Sequence, residues 1–236
     1  NNIEGIPSLE NYTHLEKLWL QGNKIGREGC RSLAKLLKND DSRLRSIFLS
    51  SNDVGDKEAK IIANSLQCNT DLAWELLGGY FANNDQLAKV DLRGCRLNDV
   101  RMSLLFRGLA YGSHLRKLDL TTNEFGIDGI RSMVPFLKNS CFIRRLEVGG
   151  NGANINTECI NLLVEALHAG GSIVELWLNK CNIEDTTALA IYPLPHLRNL
   201  HLSFNNIEGI PSLENYTHLE KLRLQGNKIA REGCRS

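Results

Sequence analysis

Leu115-Arg-Lys-Leu118-Asp-Leu120-Thr-Thr-Asn123-Glu-Phe125 is the stretch that decides the fold. The Leu118-x-Leu120 alternation puts two apolar side chains on one face of a short strand. Asn123 then falls where the chain turns inward. A buried Asn amide there can satisfy backbone groups of its own turn and of a neighbouring one, so losing it strands buried polar groups at roughly 1–3 kcal/mol each. The same pattern recurs in register seven more times, opening at Leu15, Leu44, Leu87, Ile143, Ile173, Leu197 and Leu219. Its inward-turn position is held by Asn23, Asn52, Cys95, Asn123, Asn151, Cys181, Asn205 and Asn227. Stacked units of this kind form a ladder, which gives Cys95 and Cys181 a structural task.

Eight such units resemble the leucine-rich repeat family along essentially the whole chain. The resemblance implies an α/β fold: a right-handed, horseshoe-shaped solenoid with a parallel sheet on the concave face and helices on the convex one. Spacings between units are 29, 43, 28, 28, 30, 24 and 22 residues. The first five units leave room for helices over Arg31–Lys38, Asp56–Gln67, Val100–Ala110, Ile130–Asn139 and Thr157–Ala169. In the last of these Ile160, Leu163, Val164 and Leu167 recur at helical spacing. Pro135 predicts a kink or an early end in its helix. Repeats of 28–29 residues resemble the ribonuclease-inhibitor class, whereas the final spacings of 24 and 22 resemble the short class. There Pro193, Pro195 and Pro211 break helices and leave an irregular, flatter convex side. Residues 1–236 read as one domain of about eight repeats.

The 43-residue spacing holds an insert within residues 72–86. Trp74, Leu76, Leu77, Tyr80 and Phe81 are too apolar for a bare loop. They fit a convex helix packed on its neighbours or a docking element for a partner. Residues 1–32 and 205–236 match at an offset of 204, differing only at Trp19/Arg223 and Gly26/Ala230. The duplication fits a longer array of 204-residue blocks or an engineered repeat protein. Uncapped apolar ends would let copies stack head to tail as a structural block.

Composition narrows the function. The 236 residues include 38 Leu and 24 Asn and carry a formal net charge of +1. So much Leu excludes disorder, and no 18-residue run free of charge exists to span a membrane. The balanced charge argues against nucleic acid as a partner. Seven widely spaced Cys without a Cys-x-x-Cys motif predict neither a disulfide framework nor a metal site, and point to a reducing, cytoplasmic setting. The triplets Asn11-Tyr12-Thr13 and Asn215-Tyr216-Thr217 fit the glycosylation pattern and matter only if the chain is secreted. His14, His114, His196 and His218 each precede the first Leu of a unit, a slot for packing or turn hydrogen bonding. No nucleophile–base spacing, phosphate loop or cofactor motif is present; Gly149-Gly150-Asn151-Gly152 lacks a following Lys. The expectation is a non-enzymatic chain with no cofactor.

Strand positions beside the Leu residues face away from the core. One column reads Trp19, Phe48, Asp91, Asp119, Glu147, Trp177, His201, Arg223. Two residues earlier stand Lys17, Ser46, Lys89, Lys117, Arg145, Glu175, Asn199 and Lys221. Adjacent strands lie about 4.8 Å apart, so Asp91, Asp119 and Glu147 form an acidic stripe flanked by Lys89, Lys117 and Arg145. That lattice could be self-neutralising on a solvated face, each exposed pair contributing roughly 0–1 kcal/mol. It could also be a binding stripe framed by the aromatic anchors Trp19, Phe48 and Trp177. The resemblance favours a scaffold that binds a protein or peptide on this concave face, with those nine side chains as the contact set.

Overall fold

A computed structural model of the chain describes residues 8–9, 11–23, 25, 27–38, 43–48, 73–83, 85, 87–109 and 113–229. Asn52 and the helix expected over Asp56–Gln67 lie outside them. The strands, in chain order, are β1 (Lys17–Trp19), β2 (Ser46–Phe48), β3 (Lys89–Asp91), β4 (Lys117–Asp119), β5 (Arg145–Glu147), β6 (Gly152–Asn156), β7 (Glu175–Trp177), β8 (Cys181–Asn182), β9 (Asn199–His201) and β10 (Lys221–Arg223). All but β6 and β8 pair in parallel, each with the next, in one eight-stranded sheet. The register never slips: Leu18, Ile47, Val90, Leu118, Leu146, Leu176, Leu200 and Leu222 stand side by side. The small sheet of β6 and β8 has no counterpart in the sequence expectation.

Parallel neighbours need crossovers. Among the described residues five long helices provide them: α1 (Arg27–Lys38), α2 (Ala73–Asn83), α3 (Asp99–Leu109), α4 (Ile127–Asn139) and α5 (Thr157–Gly170). The four-residue α6 (Ala188–Ile191) stops just before Pro193, as a residue without a backbone N–H demands. The apolar sides of the helices and the central strand residues form one continuous core. The opposite face of the sheet is left open. Of the two outcomes expected at Pro135 the early end is not seen: α4 runs on to Asn139, where the sequence reading ends it. The proline ring faces solvent, and Asn139 Nδ2 donates to the Pro135 carbonyl at 2.9 Å.

The rungs hold adjacent repeats together. Asn123 Oδ1 accepts from the backbone N–H of Cys95 and of Leu97 in the preceding repeat, both at 3.0 Å. Its Nδ2 donates to the carbonyls of Leu92 and Leu120 at 3.0 and 2.8 Å. Asn205 repeats the arrangement towards Cys181 and Ile183, Leu178 and Leu202. Asn151 reaches back to Asn123, and Asn227 to Ile207. Each tight turn bends at the residue before the rung. Gly22, Gly94, Thr122, Gly150, Lys180, Phe204 and Gly226 all adopt the left-handed conformation there, with φ between 56° and 76°. Three of these seven are not glycine and carry the strain of that conformation.

The helices are tied across repeats as well. No side chain of its own turn caps α4. Instead Asp99, at the start of α3, accepts from the N–H of Gly126 and Gly129 at 2.7 and 2.8 Å. Carboxylate oxygen at a helix N-terminus also suits the helix dipole. The insert is a packed helix: Trp74, Leu77 and Phe81 on α2 are buried. It meets α3 backbone to backbone. A Cβ on Gly78 would lie 2.1 Å from the Leu105 carbonyl oxygen, and one on Gly108 would lie 1.9 Å from that of Glu75.

Two predictions follow from these contacts. Asn123→Ala should lower stability by more than about 3 kcal/mol, since it strands several buried backbone groups. Asn227→Ala, on a half-buried rung at the sheet edge, should cost less; equal losses in urea titrations would contradict the ladder. Gly78→Ala should destabilise by roughly 1–3 kcal/mol through overpacking. Gly79→Ala, with nothing within 4 Å of its added carbon, should be neutral or stabilising by up to about 1 kcal/mol from helix propensity. Thermal unfolding of the adjacent pair reads the difference in sign.

Candidate functional site

The open face is built from the outward residues of the eight strands. Their columns stand as the alternation implies: Trp19, Phe48, Asp91, Asp119, Glu147, Trp177, His201 and Arg223 in one row, Lys17 to Lys221 in the other. At one end Trp19 is 60% exposed and stacks on half-buried Phe48, ring centroids 4.2 Å apart and planes within 12°. No core demand holds an indole in that position.

The acidic stripe at the centre corrects one expectation. Asp91, Asp119 and Glu147 do not lie on a solvated surface; they are 4, 2 and 5% exposed. Basic side chains from their own and adjoining strands cover them. Arg93 Nη2 sits 2.8 Å from Asp91 and its Nε 3.2 Å from Asp119. Lys117 and Arg145 both reach Glu147, at 3.0 and 2.8 Å, and Arg145 also reaches Glu175 at 2.9 Å. Lys89, the third expected flanking cation, is exposed and takes no part. Removing one member of such a covered pair leaves a charge with little water, so these contacts weigh more than exposed ones. Burial, and then the neighbouring Glu147 carboxylate, push Asp119 up to about 6 despite two hydrogen bonds from Thr121. The Asp91 carboxylate raises the Arg93 guanidinium in turn.

Beyond the stripe the face changes character. Arg145 lies over the Trp177 ring at 4.5 Å, and His201 meets that ring edge-on at 4.8 Å. Arg223 approaches the same ring at 5.8 Å. Burial, and secondly the Arg223 charge, hold His201 below its ordinary value. Together with Glu175, Asn199 and Lys221 these side chains line a depression of about 260 Å³. Trp177 Nε1, Asn199 Oδ1 and His201 Nδ1, all from residues of this lining, are shielded from solvent and have no hydrogen-bond partner among the described residues. The structure thus brings together expected Trp177 and Arg145 with His201, Asn199, Lys221 and Arg223. Sequence reasoning had placed those four on the face without singling them out. Only the exchange of Trp19 for Arg223 between near-identical segments pointed to one of them.

His201 has an aromatic ring and a cation for neighbours, with no nucleophile at hydrogen-bond distance. Burial pushes the Cys181 thiol up to about 12, leaving it inert as a nucleophile. Cys141, Cys159 and Cys181 form no disulfide among the described residues. Among the described residues no three His, Cys, Asp or Glu side chains gather as metal ligands, and no helix is long and apolar enough to cross a membrane.

The raised Asp119 carboxyl has a consequence for stability. Its unfolded value is near 3.8 and its folded one about 6, so the folded chain binds the extra proton between them. That contribution is complete below pH 4 and is lost as pH rises through 6. Relative to the parent, Asp119→Asn should therefore gain stability as pH rises from 4 to 7, by up to roughly 3 kcal/mol. Urea titrations of both chains across that range should diverge; a constant gap would assign Asp119 an ordinary carboxyl.

Comparison with known proteins agrees with the architecture. Residues 195–231 match a family model for leucine-rich repeats in two copies, and residues 12–34 and 113–134 match a single-repeat model. Pig (Sus scrofa) ribonuclease inhibitor is 27% identical over 99% of this chain and 56% of its own length. NACHT, LRR and PYD domains-containing protein 5 of Mus musculus is 25% identical over 86% of the chain and 16% of its own length. The chain therefore spans about half, or much less, of these relatives. Among solved structures, the TLR13–ssRNA13 complex aligns with TM-score 0.53 at 23% identity, over 94% of this chain and 28% of that one. An internalin of Listeria monocytogenes aligns with TM-score 0.53 at 20% identity, over 97% and 60%. With the ladder, the unbroken parallel sheet and these matches in hand, the chain has the leucine-rich-repeat fold, and its repeats are similar to those of ribonuclease inhibitor.

Proposed function

We propose that this chain is a non-catalytic recognition scaffold that binds a protein or peptide on the open face of its sheet. The stacked Trp19–Phe48 pair carries this reading, because it exposes a large aromatic with no folding reason to face water. Trp177 supplies a second anchor five strands away in the sheet order. Similarity to ribonuclease inhibitor, by name a protein that acts on another, supports a protein partner. The TLR13 structure that shares the fold is in complex with RNA, yet this chain has a net charge of +1 and the central cations Arg93, Lys117 and Arg145 are already paired with carboxylates. A strand of phosphates needs a continuous basic track instead.

The test is a display library of 16-residue peptides and small folded domains, enriched on the parent chain. Trp177→Ala should weaken the enriched binders by more than about 1 kcal/mol, and Trp19→Ala with Trp177→Ala together should abolish most of them. Circular dichroism checks that both variants remain folded. Binders indifferent to the double change would move recognition to another surface.

A further inference from the structure

We propose that the depression between β7, β9 and β10 receives an Asp or Glu side chain from an acidic segment of the protein partner. This rests on the proposed use of the open face and adds the chemistry of its contact. Four observations converge. First, the depression holds about 260 Å³, room for one carboxylate side chain and too little for a folded element. Second, its charges are unequal. Arg145 is neutralised by Glu147 and Glu175, whereas Lys221 and Arg223 are exposed and make no ion pair with any described residue. Two uncompensated cations beside an aromatic floor suit an anion carried on a short stem.

Third, Trp177 Nε1, Asn199 Oδ1 and His201 Nδ1, from residues of this lining, are shielded from solvent without partners among the described residues. Native proteins leave few such atoms; the Asn199 oxygen is an acceptor and asks for a donor, whereas the other two can serve an incoming carboxylate once a small side-chain shift uncovers them. The Trp177 N–H donates, and His201 donates once Nδ1 carries a proton; both suit carboxylate oxygen. Fourth, Arg223 is the open-face difference between two otherwise matching segments. Where the first has Trp19 stacked on Phe48, the second has a guanidinium over Trp177. The strand, its register and its central leucine are the same in both segments, so the exchange changes the chemistry that the face offers.

Phosphate on an RNA is the competing anion. Half-buried Glu175 borders the site, and the phosphodiester monoanions that follow one another along a strand would meet it, with the cations beyond already paired to carboxylates. A single carboxylate needs only the Lys221 and Arg223 side.

Peptides enriched on the parent chain and dependent on Trp177 provide the probe. Each Asp or Glu in them is changed to Asn or Gln, and affinities are measured by fluorescence anisotropy on the parent and on Arg223→Gln. The expected result is one acidic position whose amide costs tenfold or more on the parent and less than twofold on Arg223→Gln. Arg223→Glu should lose the peptide and regain it when that position becomes Lys. Trp177-dependent peptides without an acidic requirement overturn the carboxylate assignment and leave the face reading intact. Peptides independent of both Trp19 and Trp177 overturn the face reading and this one with it. Tighter binding of a 20-residue oligouridylate, lost in Arg223→Gln, overturns the proposal in favour of phosphate.

Discussion

Asn123 makes contacts to backbone on both sides of a repeat boundary, and the rest of the molecule depends on that kind of bond. Each turn after a strand is too tight to satisfy its own N–H and C=O groups, and it is buried, so an unpaired group there is costly. The amide of the next repeat supplies the missing acceptor and donor at once. Where Cys95 or Cys181 replaces Asn, the thiol is a weaker donor and meets a nearby carbonyl at 3.7 Å. The Asn that follows, at 123 or 205, still satisfies that turn. The ladder therefore tolerates an occasional weak rung, provided the succeeding one is strong.

Fixing the turns fixes the register, and fixing the register makes a surface. Because β1 to β10 align residue for residue within the main sheet, one outward column can hold an aromatic pair, then three carboxylates, then an indole beside an imidazole. The carboxylates are tolerated only because Arg93, Lys117 and Arg145 fold over them. The centre of the face is in that sense closed and internally matched. The ends differ: Trp19 at one edge and Lys221 with Arg223 at the other keep unspent capacity for a partner.

Much of this was legible beforehand, and the reason is periodicity. Leu-x-Leu has a period of two, so the neighbours of each Leu must face the other way, and the whole content of both columns follows. The rungs follow from an Asn placed at a fixed distance from each strand. What could not be read depends on the reach of long side chains. Nothing local to Asp119 states that Arg93, from another strand, will cover it. Nothing near Gly126 states that its N–H will be met by Asp99 from the previous helix. Pro135 left two outcomes open, and which of them fails depends on surroundings: its ring is on the solvent side and the helix continues beyond it. The depression lined by His201, Asn199 and Arg223 is a product of three side-chain conformations, and no spacing announces it.

The two kinds of cross-repeat bond point in opposite directions along the chain. Asp99 serves a helix that comes later, whereas Asn123 serves a turn that came earlier. During synthesis from the N-terminus, a newly emerged α4 finds its cap already waiting, so the helix can start at once. The turn beneath it stays open until the following repeat arrives. A nascent array of this design always carries one unfinished turn at its growing tip, and each new repeat is both templated by its predecessor and required to complete it.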